Sequence, residues 1–157
     1  MQRMNQPAGA APVGPDAQLR VMRTLWVVFL VTIGLFFLVT YVSRPDAETR
    51  AEAAAGDGSA TILLVLAALA LSSVVASVVV KASFYRRAAE RQHPGMLQTG
   101  FVVAIMLCET AVLLGLVGVF VTWNDYAYGL FALGALGEAL HFPTREQILS
   151  AYYRPAG

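Results

Sequence analysis

Four stretches of this chain are uncharged or nearly so: Thr24–Val42, Thr61–Val80, Phe101–Thr122 and Tyr126–Phe142. The third contains a single acid, Glu109, and the fourth holds Glu138 and His141 near its end. An α-helix rises 1.5 Å per residue, so about 20 apolar residues cross a hydrocarbon core of about 30 Å. The first three runs reach that length and the fourth is marginal. Lipid offers the backbone no hydrogen-bond partners, so such segments must pair their own amides as helices. The expected fold is all-α: a polytopic membrane protein with a four-transmembrane-helix antiparallel bundle, helices at about 24–42, 61–80, 101–122 and 126–142. Composition agrees. Of 157 residues, 57% are hydrophobic and 13% charged, about half the charge of an ordinary soluble domain.

The flanking segments read differently. Residues 1–22 are expected to be a disordered tail, being rich in Ala, Pro and Gly at the start. The run that follows is too long for a signal-peptide core and reads as an uncleaved helix. The connector 43–59 carries Asp46, Glu48, Glu52 and Asp57 beside Arg44 and Arg50, and reads as a solvated loop. Residues 144–157 are expected to form a short interfacial tail, with Ile148, Leu149, Tyr152 and Tyr153 on one helical face. Partner docking is the other use of that face.

The 11 basic residues set an orientation. Arg3, Arg20, Arg23, Lys81, Arg86, Arg87, Arg91, Arg145 and Arg154 share one side, and only Arg44 and Arg50 the other. The positive-inside rule then puts both termini and the middle connector in the cytoplasm. The expected location is the inner (cytoplasmic) membrane. Lys81–Arg91 reads as this topology signal, with anionic lipid headgroups as its alternative ligand.

Glu109 is the charge whose position is costly. It lies eight residues beyond Phe101, about 12 Å deep at helical rise. Insertion of an acid at the bilayer centre costs about 2.5–3.5 kcal/mol. A protonated, hydrogen-bonding carboxyl is therefore expected. Beside it, Ala104, Cys108, Ala111, Gly115 and Gly118 recur every three or four residues as a helix-packing seam of small side chains. Glu109 sits about 100° off that seam. On the preceding helix, Ala68, Ser72 and Ala76 form a small-residue stripe, with Ser73 and Ser77 alongside as possible hydroxyl partners.

The stretch Ala89-Glu90-Arg91-Gln92-His93-Pro94, then Gln98-Thr99-Gly100-Phe101 and Met106–Val117 around Glu109, resembles rotary ATP synthase subunit c. The similar features are a polar Arg-Gln-Pro loop and a following helix with an ion-binding carboxylate, preceded by a helix of small residues. The resemblance covers about residues 61–121 and implies a proteolipid-like hairpin inside a different membrane protein. It implies that Glu109 binds a proton or sodium, with Thr110 as the adjacent hydroxyl. The candidate ion site is therefore Glu109, Thr110, Ser72 and Ser73.

Other chemistry is sparse. Glu138 and His141, at i and i+3, match one arm of a carboxylate-bridged metal bundle, but no second arm exists in the chain. They read as residues of the cytoplasmic interface. His93 reads as a solvated loop side chain, and Cys108 as a small hydrophobe. No catalytic set, metal site or cofactor is expected, and the balanced charge, 11 basic against 10 acidic residues, gives no nucleic-acid footprint. Two functions follow as expectations. One is a non-catalytic accessory or scaffold subunit of a membrane assembly, with the lipid bilayer and a membrane-protein partner or homo-oligomer as its contacts. The other is a proton-linked or ion-binding proteolipid with Glu109 as the exchanging carboxylate.

Overall fold

The computed structural model describes residues 14–152. Every element among them is helical: α1 (Pro15–Val42), α2 (Ala47–Ala55), α3 (Ser59–Arg91), α4 (Pro94–Thr122), a 3-10 turn (Asp125–Ala127), α5 (Tyr128–Ala139) and α6 (Arg145–Tyr152). Three helices, α1, α3 and α4, are long and apolar enough to cross a membrane. At 12 residues, α5 is only about 18 Å long.

The helix ends follow local chemistry. Pro15 and Pro94 occupy the first turns of α1 and α4, where the missing amide proton would have no partner anyway. Gln92 ends α3 in a left-handed conformation at φ 49°. His93 precedes a proline, which disfavours helical backbone there. The α3–α4 connection is thus two residues, and the basic segment 81–91 is the last turns of a helix. Hydropathy marks what a bilayer covers, whereas stop signals mark where a helix ends. The same distinction carries α4 back from Phe101 to Pro94.

Other expected boundaries also shift. Residues 15–22, assigned to a disordered tail, form the first turns of α1, with Gln18, Leu19 and Met22 buried. The part of that tail spanning residues 1–13 lies outside the described residues. The connector 43–59 contains α2, started by Asp46, whose carboxylate accepts the Thr49 amide at 2.9 Å and the Thr49 hydroxyl at 3.1 Å. Gly58, at φ 93°, turns the chain into α3 through backbone that side chains rarely adopt.

Helix α4 is the hub. Half of its most apolar window is buried, against 11% for α1 and 17% for α3. Helices α1, α3, α4 and α5 alternate in direction. Gly118 of α4 meets Leu63 and Leu66 near the start of α3, and Gly100 meets Phe84 near its end. Gly118 also meets Ala127 of the 3-10 turn, while Cys108 meets Gly137 of α5. Trp26 near the start of α1 donates to the Glu138 carbonyl at 2.9 Å, and Arg44 beyond its end bonds Asp125 at 3.0 Å.

Because α5 is short, the ends of α1, α3 and α4 project past it, and α6 fills the notch. Ile148 is 1% exposed among Leu19, Met22, Ala88, Leu97, Phe101 and Ile105. The Tyr152 hydroxyl donates to Gln18 at 2.9 Å, Gln18 in turn donates to the Pro94 carbonyl at 2.9 Å, and Arg145 pairs with Asp16 at 3.4 Å. The apolar side of α6 is thus turned into the bundle of its own chain. Tyr153, expected on that face, lies outside the described residues.

Candidate functional site: a buried carboxyl–imidazole centre

On α4 the buried positions include Leu97, Phe101, Ala104, Cys108, Ala111, Gly115, Gly118 and Thr122, alternating steps of four and three that keep one stripe facing its partners. On α3 the buried set includes Ala70, Val74, Ser77, Lys81 and Ala88. Two small glycines bring α5 against these stripes. A Cβ on Gly134 would collide with Val112 Cγ2 and stand 3.1 Å from the Cys108 carbonyl, and one on Gly137 would stand 2.9 Å from Cys108 Sγ. This close approach carries Glu138 and His141 into the interior, where they are 0% and 1% exposed. They are enclosed residues, not solvated interface residues. Periodicity alone placed them at a helix end, and it could not show how closely α5 packs against α4 and α3.

The hydrogen bonds around His141 assign its tautomer. Ser77 Oγ lies 2.6 Å from the Val74 carbonyl and 2.8 Å from His141 Nε2, and Cys108 Sγ donates to it at 3.4 Å. A hydroxyl has one proton, and a carbonyl can only accept. Ser77 therefore donates to Val74 and accepts from both the thiol and His141 Nε2–H. The neutral ring then carries its proton on Nε2 and presents Nδ1 as a bare acceptor.

Among the described residues, His141 Nδ1, both carboxyl oxygens of Glu138 and Oε1 of Glu109 are buried without a protein hydrogen-bond partner. Glu109 itself is 8% exposed. It lies within electrostatic reach of Glu138, as Lys81 does of His141. Lys81 is 8% exposed, with its ammonium 5.2 Å from the centroid of the Tyr85 ring. An acceptor buried without a donor costs about 1–3 kcal/mol. A protonated carboxyl carries a donor as well as an acceptor, which an ionised one lacks. Among the described residues, no cluster of three or more His, Cys, Asp and Glu side chains is placed to hold a metal ion.

The hydroxyls grouped with Glu109 on sequence bond within their own helices. Ser72, Ser73 and Thr110 each donate to the carbonyl one turn earlier in their own helix, Ala68, Leu69 and Met106, at 2.8, 3.0 and 2.9 Å. Ser72 and Thr110 are exposed. Of the stripe Ala68–Ser72–Ala76 the first two are exposed and Ala76 is half-buried, and the buried stripe of α3 runs through Ser77 instead. The step from Ala70 through Val74 and Ser77 to Lys81 is legible at spacings of four, three and four. That signal would have selected Ser77. The seam residues Ala104, Cys108, Ala111, Gly115 and Gly118 are all buried.

Outside the apolar helices, electrostatics is local. Arg44 donates to Tyr128 at 2.9 Å, which with nearby Asp125 holds its guanidinium above its ordinary pKa. The two bonds from Thr49 hold the Asp46 carboxyl below its ordinary value.

Compared with known proteins, the chain matches no family model, and neither a curated protein nor a solved structure proves similar to it. The functional reading therefore rests on the geometry of the buried centre.

Proposed function

We propose that this is a multi-pass membrane protein whose buried centre, Glu109, Glu138 and His141, takes up and releases protons. The observation that carries this reading is the set of four buried acceptor atoms without protein donors, contributed by α4, α5 and the turn after α5. A site that served packing alone would gain by replacing them with apolar groups. The resemblance to subunit c implies the same role for Glu109, with Glu138 and His141 standing where Thr110, Ser72 and Ser73 were expected to help. The protein acts without a catalytic set, and protons need no cofactor.

The setting of this reading is a four-span bundle in the inner membrane, with both termini cytoplasmic. Two contacts support a fourth span: with the turn before it, α5 runs beside α1 from Arg44 to Trp26. Nine basic residues against two support the orientation.

Carbodiimide labelling and proton flux in proteoliposomes test this reading. Labelling should fall on Glu109 and Glu138, should rise as pH falls, and should vanish at each site in Glu109→Gln and Glu138→Gln. Absence of labelling together with flux unchanged in both variants overturns it.

A second reading is a non-catalytic accessory or scaffold subunit. It is favoured by the largely exposed stripe Ala68–Ser72–Ala76 on α3, whose small side chains let another helix approach closely. Under this reading the purified protein migrates within a larger assembly or as a homo-oligomer, and Ala76→Leu releases it.

A further inference from the structure

At the end of the bundle that carries α2, a polar pocket and an apolar groove share two of their walls. The pocket, about 540 Å³, lies between Arg50 with the alanine face of α2 and the segment Trp123–Tyr126. The groove, about 390 Å³, runs between α3 and α5 along Ala60, Leu63, Leu64, Ala67 and Leu130. Asn124 and Tyr126 line both. From Ala60 to Ala67 the groove descends about 10 Å along α3 at helical rise. A charged compartment beside an apolar groove, with Asn124 and Tyr126 lining both, suits a lipid with its headgroup above and a chain below.

The charges select the headgroup. Arg44 and Arg50 both point to the same oxygen, Asp125 Oδ1, at 3.0 and 3.5 Å. Two guanidiniums against one carboxylate leave one positive charge, and Arg50 Nε is buried without a protein acceptor. The acids of α2 do not cancel it. Ala47, Arg50, Ala51 and Ala54 line the pocket, at positions i, i+3, i+4 and i+7 of one helical face. Glu48 and Glu52 stand on the neighbouring face and are exposed. We propose that this site holds an anionic phospholipid, its phosphate on Arg50 and one acyl chain in the α3–α5 groove. The site rests on the membrane reading above and is independent of the carboxyl–imidazole centre.

Trp123 is a reporter built into the pocket. The chain has two tryptophans, so Trp26→Phe leaves Trp123 alone. The full-length variant is placed in phosphatidylcholine nanodiscs containing a minor fraction of phosphatidylglycerol brominated on its acyl chains. A basic residue near a membrane surface contributes about 1 kcal/mol towards an anionic lipid, about a fivefold enrichment. Quenching of Trp123 should therefore report about five times the bulk fraction of anionic lipid. Arg50→Gln should return it to the bulk value. Ala60→Phe, at an exposed position of the groove wall, should lower it as well. Equal quenching by brominated phosphatidylcholine at the same fraction, or undiminished enrichment in Arg50→Gln, overturns the proposal. Removal of the enrichment by millimolar inorganic phosphate overturns it too, because the site then takes a soluble anion. Nanodiscs made wholly of brominated phosphatidylcholine separate the two levels: failure to quench Trp123 there sinks the membrane reading itself.

Discussion

Ser77 and His141 stand 64 positions apart in the chain and share a 2.8 Å hydrogen bond in the interior. The bond joins the middle of α3 to the turn that follows α5, and it exists because Gly134 and Gly137 let α5 press against α4. It also leaves His141 Nδ1 bare, on the side of the ring opposite Ser77. Replacing Ser77 by alanine should strand a buried N–H and lower stability by about 1–3 kcal/mol. Pairing it with His141→Phe removes both partners, so the double variant should lose less than the sum of the single losses. Thermal unfolding in detergent measures the cycle, and strict additivity would show that the bond contributes nothing.

Glu109→Gln should leave the fold intact. An amide can donate as a protonated carboxyl does, so the expected change in unfolding temperature is small. Were Glu109 ionised and paired, the same change would cost about 3–5 kcal/mol. The midpoint of unfolding, measured for wild type and variant in one detergent, separates the two.

Two glycines should respond with opposite signs to alanine. At Gly134 the new Cβ would meet a carbonyl oxygen of α4 at 3.1 Å, as well as Val112. Backbone cannot move aside as a flexible side chain can, so Gly134→Ala should destabilise by about 1–3 kcal/mol. Gly34, in the middle of α1, has open space around its Cβ position. There alanine should stabilise the helix by about 0.5–1 kcal/mol. Equal effects at the two sites would contradict the packing of α5 on α4.

Arg44 is held by shape as well as charge. Its guanidinium lies 5.1 Å from the Tyr41 ring centroid and 4.5 Å from that of Tyr128 while bonding Asp125. Lysine keeps the charge but loses the planar fork and the stacking. Arg44→Lys should therefore cost about 0.5–1 kcal/mol, and Asp125→Asn less, because an exposed pair is screened. Unfolding at low and high salt orders the two variants.

Acid should fray α2 before it disturbs the apolar helices. The Asp46 carboxyl is held below its unfolded value of 3.8 by Thr49. A group depressed in the folded state contributes stability above its unfolded pKa and loses it as pH falls through the folded one. The capping contribution is thus complete at neutral pH and disappears below the usual carboxylate range. Exchange of the Thr49 amide should quicken over that window. In Asp46→Ala it should be fast throughout, and unchanged protection at low pH would contradict the cap.

Much of the architecture was legible because membrane-spanning length and backbone pairing depend on composition alone. The runs ending at Val42, Val80 and Thr122 mark the helices long enough to cross a membrane, and Pro15, Gly58 and Pro94 mark where three helices begin. Residues 15–22 were misread because the Ala, Pro and Gly content before them was extended into the helix, and 81–91 because charge was taken as an end of helix. The small-residue stripe of α3 did not show which face is buried: Ala68, Ser72 and Ala76 are small, but smallness permits contact without requiring it.

By itself the sequence determined that the chain is helical, how long its apolar helices are, and that Glu109 lies deep within one of them. Each of these depends on rise per residue and on local stop signals. Only the tertiary structure decided what Glu109 has near it. Glu138, within electrostatic reach of Glu109, and His141 reach the interior because α5 is short and Gly134 and Gly137 let it close on α4. Those are relations among segments far apart in the chain, and no local pattern of residues encodes them.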